Sequence, residues 1–470
     1  MRTKIIATIG PASSGRPMLA RLIEAGVYIF RLNFSHGAAA DFAGLIELIR
    51  ELEVEYAVPL TILQDLPGPK IRIGQIDGGS IQVNKGSRLF LGKSGEASLP
   101  GAPFIPFDHP AILSTLECGD RLALADGALQ LEVEKKVAEG LFEIRALNSG
   151  LVTSRKGLAL PGKAVSLAAL TEVDRENLKD GLLLGVDAVA LSYVQTPEDV
   201  REAKEFIRSQ GHDIPVVAKL ERRNAVENLN EIIQEADIIM VARGDLGVEC
   251  PLEELPAIQK RIIRACNHAS KPVIVATQML LSMVNNPSPT RAEVTDVANA
   301  VLDGTDCVML SEETAVGNYP VETVEYMHKI ATSAEDLLWE KHYIVEPPLE
   351  SGTPDFLAYS ACLLAEKSNA RALVAHSSSG ATARLLSVRQ PRHPIYTLTS
   401  NRQVLHDLNF IWGVKPWFIE EDESSHLERV ERFIEEQNLF TRGEVFVITA
   451  GQPKSGHGSV KTNLVKIYMK

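Results

Sequence analysis

Two short runs in the middle of the chain carry residue types suited to handling a charged, oxygen-rich group. Lys219-Leu220-Glu221 sets an ammonium and a carboxylate one residue apart, and Arg243-Gly244-Asp245 repeats the pairing of cation and carboxylate. Along a strand, side chains alternate faces, so Lys219 and Glu221 share one side. The same rule places Arg31, Asn33 and Ser35 together in Arg31-Leu32-Asn33-Phe34-Ser35-His36-Gly37, with Leu32 and Phe34 turned away. Phosphoryl transfer requires fixed cations against the phosphate oxygens and carboxylates for a hard divalent metal. Arg31 and Lys219 supply the first, Glu221 and Asp245 the second. The N–H groups around Gly244 and Asp245, at a helix start, form a seat for a substrate carboxylate. Taken singly, each run reads equally well as a surface ion pair, a tight turn or a helix cap. No Walker A sequence and no kinase-type glycine-rich loop is present.

What gathers these runs is the element pattern. Short apolar or β-branched strands are expected at Thr3–Ile9, Val27–Asn33 and Leu60–Asp65, then at Asp187–Leu191, Pro215–Lys219, Ile238–Val241, Val273–Thr277 and Cys307–Leu310. Helices alternate with them, and Thr171-x-x-Asp174, Thr196-Pro197 and Thr290-x-x-Glu293 mark three helix starts. Eight βα units over roughly 250 residues point to a (β/α)8 barrel, ahead of a doubly wound sheet. Each chemistry-bearing run then follows the carboxyl end of a strand, where such barrels place their active sites: Arg31–Gly37, Asp65, Lys219–Glu221, Arg243–Asp245, Thr277-Gln278 and Ser311–Thr314. Convergence on one rim is the argument that they act together.

The texture changes at Pro67-Gly68-Pro69. To about Pro161 the chain reads as an all-β insertion, with a hairpin signal at Asp126-Gly127 between Arg121–Leu124 and Leu129–Val133. After Glu346-Pro347-Pro348 a further α/β unit begins, with strands at Ala372–Ala375, Ile395–Leu398 and Val445–Thr449. The expected organisation is α/β: a TIM barrel from residues 1–69 and 162–345, an inserted β lid from 70–161, and a C-terminal α/β domain from 346–470. A net charge of −13 over 470 residues disfavours extended contact with nucleic acid or an anionic membrane. Five scattered cysteines without CxxC pairs suit free thiols in a reducing compartment. No apolar run is long enough to span a bilayer and no signal-peptide pattern stands at the start, so the expected location is the cytoplasm.

The rim motifs, in this order, resemble those of the pyruvate kinases. The matching runs are Thr3–Ser13 (TKIIATIGPAS), Arg31–Gly37, Gly68–Arg72 (GPKIR), Met240–Gly247 (MVARGDLG), Ala276–Met279 (ATQM) and Pro289–Gly304 (PTRAEVTDVANAVLDG). The resemblance covers nearly the whole chain. It implies transfer of the phosphoryl group of phosphoenolpyruvate to ADP, giving pyruvate and ATP, with magnesium or manganese bound by Glu221 and Asp245. Arg31 would contact the transferring phosphate, and Asn33, Phe34, Ser35, His36, Arg72 and Lys156 the nucleotide. Lys219 would stabilise charge on the phosphoryl group and the enolate. Gly244, Asp245 and Thr277 would touch substrate, with Thr277 relaying a proton. The insertion would close as a lid, and the assembly would be a homotetramer.

The departures from the family carry information of their own. Leu66, Pro67 and Lys70 stand where potassium-dependent members have Thr, Lys and Glu, which resembles the potassium-independent, lysine-containing subgroup; Lys70 is then expected to replace the monovalent ion. Gln195, Glu312 and Arg222-Arg223 also depart from the common pattern. In the last domain, His376–Thr382 links a strand to a helix. Ser377, Ser379, Gly380 and Thr382 match the loop that binds an effector phosphate in the family, and the run from Gly451 to Thr462, with Lys454 and Lys461, is expected to close over it. Two other readings compete: a Schiff-base aldolase using Lys219, and a catalytically altered relative that only senses a metabolite.

Overall fold

The computed structural model describes residues 1–95, 103–125, 127–163, 167–340, 344–451 and 462–470. Eight parallel strands close into a barrel in the order β1 (Lys4–Ile9), β2 (Ile29–Asn33), β3 (Thr61–Asp65), β4 (Ala188–Leu191), β5 (Val216–Leu220), β6 (Ile238–Ala242), β7 (Val273–Ala276) and β8 (Cys307–Leu310), with β8 returning to β1. Period-two alternation explains how such short apolar runs are satisfied on both faces. Ile6, Ile29, Leu63, Val217, Met240 and Ile274 fill the interior, while Ile5, Phe30, Ile62, Val216, Ile239 and Val275 pack outward under the helices. The helix starts form as their sequences dictate. Thr171 and Thr290 each accept the N–H of the residue three positions on, and Pro197 occupies the first turn after Thr196.

One strand ends short of its expected limit. The seventh strand stops at Ala276 because Thr277 and Gln278 adopt φ values of 70° and 54°. A β-branched residue in the left-handed region is strained, and such strain persists only where its surroundings impose it.

Between β3 and β4 the insertion forms a six-stranded and a two-stranded sheet around its own apolar core of residues such as Leu89, Phe107, Leu131 and Phe142. Arg121–Leu124 pairs antiparallel with the strand Leu129–Ala138; Asp126, the first residue of the expected hairpin turn, lies outside the described residues. The C-terminal domain is a five-stranded sheet, parallel except for the edge strand Leu464–Met469, which sequence inspection missed. This domain closes the amino-terminal end of the barrel. Phe410, fully buried, joins the interior cluster, its carbonyl accepts from Cys307 Sγ at 3.3 Å, and Asn409 donates to the Pro59 carbonyl at 2.8 Å. Burying such a ring is worth about 1.5–3 kcal/mol.

Candidate active site

At the opposite, carboxyl end of the barrel, β2, β3 and β5 bring four charged side chains into one buried group. Arg31 Nε donates to Asp65 Oδ2 at 2.6 Å, and Lys219 Nζ donates to Asp65 Oδ1 at 3.0 Å. Lys219 also lies 2.9 Å from Glu221 Oε1 and donates to Ser192 Oγ at 2.6 Å. Arg31 reaches across to Thr8 Oγ1 at 3.0 Å, and Thr8 in turn donates to the Leu310 carbonyl. Two cations thus face two carboxylates in a site where Asp65 is 1% and Glu221 2% exposed. Buried charges persist only when paired in this way. Burial alone would raise Asp65; Arg31 and Lys219 outweigh it and hold the carboxyl below the usual range. Burial would likewise lower Lys219, but Asp65 and Glu221 keep its ammonium above the ordinary lysine value. These two carboxylates favour the cationic form of Lys219, whereas Schiff-base chemistry needs a neutral amine.

Glu221 is held differently. Its Oε2 accepts the Tyr193 N–H at 2.8 Å, and its pKa is raised by burial first, with Asp245 adding to the rise and Lys219 opposing it. Glu221 and Asp245 line one small cavity of about 30 Å³, shared with Lys70. That is the room of about one water molecule. Two carboxylates repelling each other beside such a space form a donor set that suits a hard divalent ion. Among the described residues no group of three or more His, Cys, Asp and Glu side chains is placed to hold a metal, so water and substrate oxygens would complete the shell, as magnesium usually requires.

A larger cavity of about 1090 Å³ opens beside it, between the insertion and the rim. Lys70, Gly244, Asp245, Thr277 and Glu312 line the barrel side; Arg121, Gly127 and Gln130 line the other. The insertion reaches the helix Arg243–Glu249, since a Cβ on Gly127 would sit 3.4 Å from Val248. Arg243 does not face this space as a free cation. It binds Asp296 at 2.7 Å and the Ala276 and Thr277 carbonyls, fixing the strained turn after β7. The Gly244 N–H, expected to face a substrate carboxylate, is donated to Thr277 Oγ1 at 2.8 Å. The hydroxyl of Thr277 donates onward to Ala276, so strain at φ 70° buys a side chain locked over the β6–β7 edge.

The nucleotide candidates lie apart from this cavity. Ser35, His36, Arg72 and Lys156 are exposed and do not line it. Asn33 accepts the Ser35 N–H at 3.2 Å, and Arg72 donates to the Arg155 carbonyl at 3.1 Å. Phe34 turns its ring into the core, stacked on Phe42 at 4.6 Å, with its N–H on the Asp65 carbonyl. Any role of Phe34 toward a ligand is therefore left to its carbonyl. Sequence reasoning gave no role to Thr8 or Ser192, since a lone hydroxyl at a strand end carries no motif; Glu313 lay within the rim run Ser311–Thr314 without a role of its own. Glu313, fully buried, accepts the Ser311 and Leu280 N–H groups and ties the β7 and β8 loops together.

The effector-loop candidates converge elsewhere. Ser377, Ser379 and Thr382 line a cavity of about 700 Å³ at the base of the barrel, and Gly380 takes a φ of 74° beside it. Thr382 Oγ1 lies 2.7 Å from Thr462 Oγ1. Residues 452–461, including Lys454 and Lys461, lie outside the described residues.

Comparison with known proteins agrees with this architecture. The family model described as "Pyruvate kinase, barrel domain" matches residues 1–324, and that described as "Pyruvate kinase, alpha/beta domain" matches residues 355–468. A pyruvate kinase of Agrobacterium vitis is 43% identical over 99% of this chain and 96% of its own length. Pyruvate kinase 2 of a Synechocystis species is 41% identical over 99% of this chain and 79% of its own. A pyruvate kinase of Geobacillus stearothermophilus is 39% identical, with 100% of this chain and 80% of its own length covered. With its closed barrel, its buried cation–carboxylate rim and these matches along nearly its whole length, the chain belongs to the pyruvate kinase family.

Proposed function

We propose that this chain transfers the phosphoryl group of phosphoenolpyruvate to ADP, and that the Arg31–Asp65–Lys219–Glu221 group carries the chemistry. The supporting observation is that Lys219 and Arg31 share Asp65 as counter-ion, which fixes both side chains at the barrel mouth before any substrate arrives. Preorganised charge of this kind acts without reorganisation as the reaction proceeds. Arg31 holds the phosphoryl oxygens. Lys219 faces the bridging oxygen as the bond from phosphorus to the enol oxygen breaks and the bond to the terminal ADP oxygen forms. Thr277 relays a proton to the methylene carbon of the enolate, giving the methyl group of pyruvate, once its hydroxyl turns from the Ala276 carbonyl to which it donates. Glu221 and Asp245 would hold magnesium, with manganese as substitute, and such an ion would supply positive charge against the phosphate oxygens. Asn33, Ser35, His36, Arg72 and Lys156 serve the nucleotide as the insertion moves over it, excluding water.

Three finer readings belong to the same proposal. Lys70 lines the carboxylate cavity and takes the place of a monovalent ion, so potassium is not required. The Ser377–Thr382 loop binds a phosphorylated effector. The enzyme acts in the cytoplasm as a homotetramer; among the described residues no helix is long and apolar enough to cross a membrane.

An assay following pyruvate formation from phosphoenolpyruvate and ADP tests the reading. Activity should vanish with excess chelator and return with added magnesium or manganese. Full activity in chelator would refute the metal assignment, and borohydride trapping of pyruvate on Lys219 would favour the aldolase reading instead.

A further inference from the structure

The cavity at the barrel base contains a polar group that the fold leaves unsatisfied. His376, at the end of the strand Ala372–His376, is 3% exposed, and among the described residues neither of its ring nitrogens has a hydrogen-bond partner. Buried polar atoms in folded proteins are almost always paired, and the exceptions call for an explanation. His376 lines the cavity, and its ring stacks on that of His426 with centroids 4.0 Å apart. His426 opens the helix His426–Glu436, and its Nδ1 lies 2.7 Å from the Gly451 carbonyl, so this nitrogen carries the proton.

The charges around the cavity sharpen the point. From the barrel base come Lys271 and Asp237; from the C-terminal domain come Arg384 and Asp355. Behind the histidines stands Arg429, paired with Asp422 at 3.0 Å. Asp355 and Asp237 are already paired, with Arg389 at 3.2 Å and with Lys204 at 2.8 Å, so among the described residues Lys271 and Arg384 remain as cations toward the space. Among the described residues Lys271 and Arg384 draw a dianion into this space, and the unpartnered ring of His376 is where further charge can be added. Burial, then His426 and Arg429, hold the His376 pKa down to about 3 while the cavity is empty, so at neutral pH the ring is uncharged. An anion beside it acts in the opposite direction.

Building on the reading of Ser377–Thr382 as an anion site, we propose that this cavity binds a dianionic phosphorylated small molecule together with one proton, taken up by His376. The hydroxyls of Ser377, Ser379 and Thr382 receive the oxygens, and the imidazolium adds a positive charge to those of Lys271 and Arg384. Binding is then linked to proton uptake, and the site tightens as pH falls.

Sulfate is the probe, because its charge stays constant across the pH range in which sugar phosphates titrate. Calorimetric titration of the full chain from pH 6 to 8 should show the sulfate Kd weakening about tenfold per pH unit, the slope for one proton. His376→Phe keeps the stack on His426 and should reduce that slope to less than twofold per unit. Ser379→Asp, which sets a carboxylate in the loop, should abolish binding. A pH-independent Kd in the wild type overturns the proton coupling and leaves the anion site standing. Absence of sulfate binding at every pH, or unchanged affinity in Ser379→Asp, removes the anion-site reading along with it. Should His376→Phe fail to fold, the wild-type slope together with heats measured in buffers of different ionisation enthalpy still decides the coupling.

Discussion

At the scale of single residues, Lys219 is tied to more than the reaction. It neutralises Asp65 and Glu221 at 3.0 Å and 2.9 Å, so its loss leaves two carboxylates buried beside each other with Arg31 as the remaining cation. Lys219→Met should lower turnover by at least ~10², the usual effect of losing one preorganised charge stabiliser, with substrate affinity within tenfold. It should also lower stability by about 3–5 kcal/mol, since breaking a buried pair strands its partner. Steady-state kinetics and urea unfolding measure the two effects separately. Near-normal turnover would remove Lys219 from the mechanism. The alternation of Lys219 and Glu221 was legible in the sequence. Their sharing of Asp65 with Arg31 was not, because that contact joins strands far apart in the chain.

At the scale of elements, the turn Pro67-Gly68-Pro69 sets where the insertion leaves the barrel. Gly68 has a φ of 64°, and a Cβ there would come within 2.9 Å of the Ser192 Cβ. Ser192 is the residue that accepts from Lys219, so hinge and catalytic group touch through one side chain. Gly68→Ala should cost about 1–3 kcal/mol in stability through backbone strain and should displace Ser192. It should therefore lower turnover as well as raise the KM for ADP; an unchanged melting temperature and unchanged kinetics would show that the hinge is free to relax. Two residues on, Lys70 lines the cavity that holds Glu221 and Asp245. Across about 4 Å at an effective dielectric near 20, an ammonium repels a monovalent cation by about 4 kcal/mol. Activity in tetramethylammonium salts at constant ionic strength should match that in potassium, and Lys70→Glu should become potassium-dependent. Activation of the wild type by potassium of tenfold or more would contradict the assignment.

At the scale of the whole molecule, the C-terminal domain is fastened to the barrel base by a charged junction. His406 lies 2.6 Å from Glu53 and 3.0 Å from Asp187, and Arg50 binds both carboxylates. Burial would lower His406, but its hydrogen bonds to Asp187 and Glu53 outweigh this and raise its pKa to about 9. A folded-state pKa above the unfolded value means that the junction contributes fully below about pH 6.5 and fades as pH rises through 9. The shift corresponds to on the order of 3 kcal/mol. Unfolding followed from pH 6 to 10 should show the wild type losing this margin relative to His406→Gln, whose curve stays flatter. Parallel curves would show that the junction adds no pH-dependent stability.

The sequence by itself determined the local events: short apolar strands, the capped starts at Thr171 and Thr290, and the polar or charged residues at the ends of six of the barrel strands. These follow from period-two alternation and from hydrogen bonds that span three or four residues, and both are written into neighbouring positions. It also carried the family, because long runs such as Met240–Gly247 and Pro289–Gly304 are specific in themselves. What only the tertiary structure decided are the relations that close across the barrel or between domains. Asp65 became the counter-ion of two cations, Arg243 was drawn away to Asp296, the Gly244 N–H was consumed by Thr277, and Phe410 sealed the barrel base. Each is a choice among partners that are distant in sequence. Burial removes water as the alternative partner, so the pairing is settled by which groups the closed barrel brings within about 3 Å.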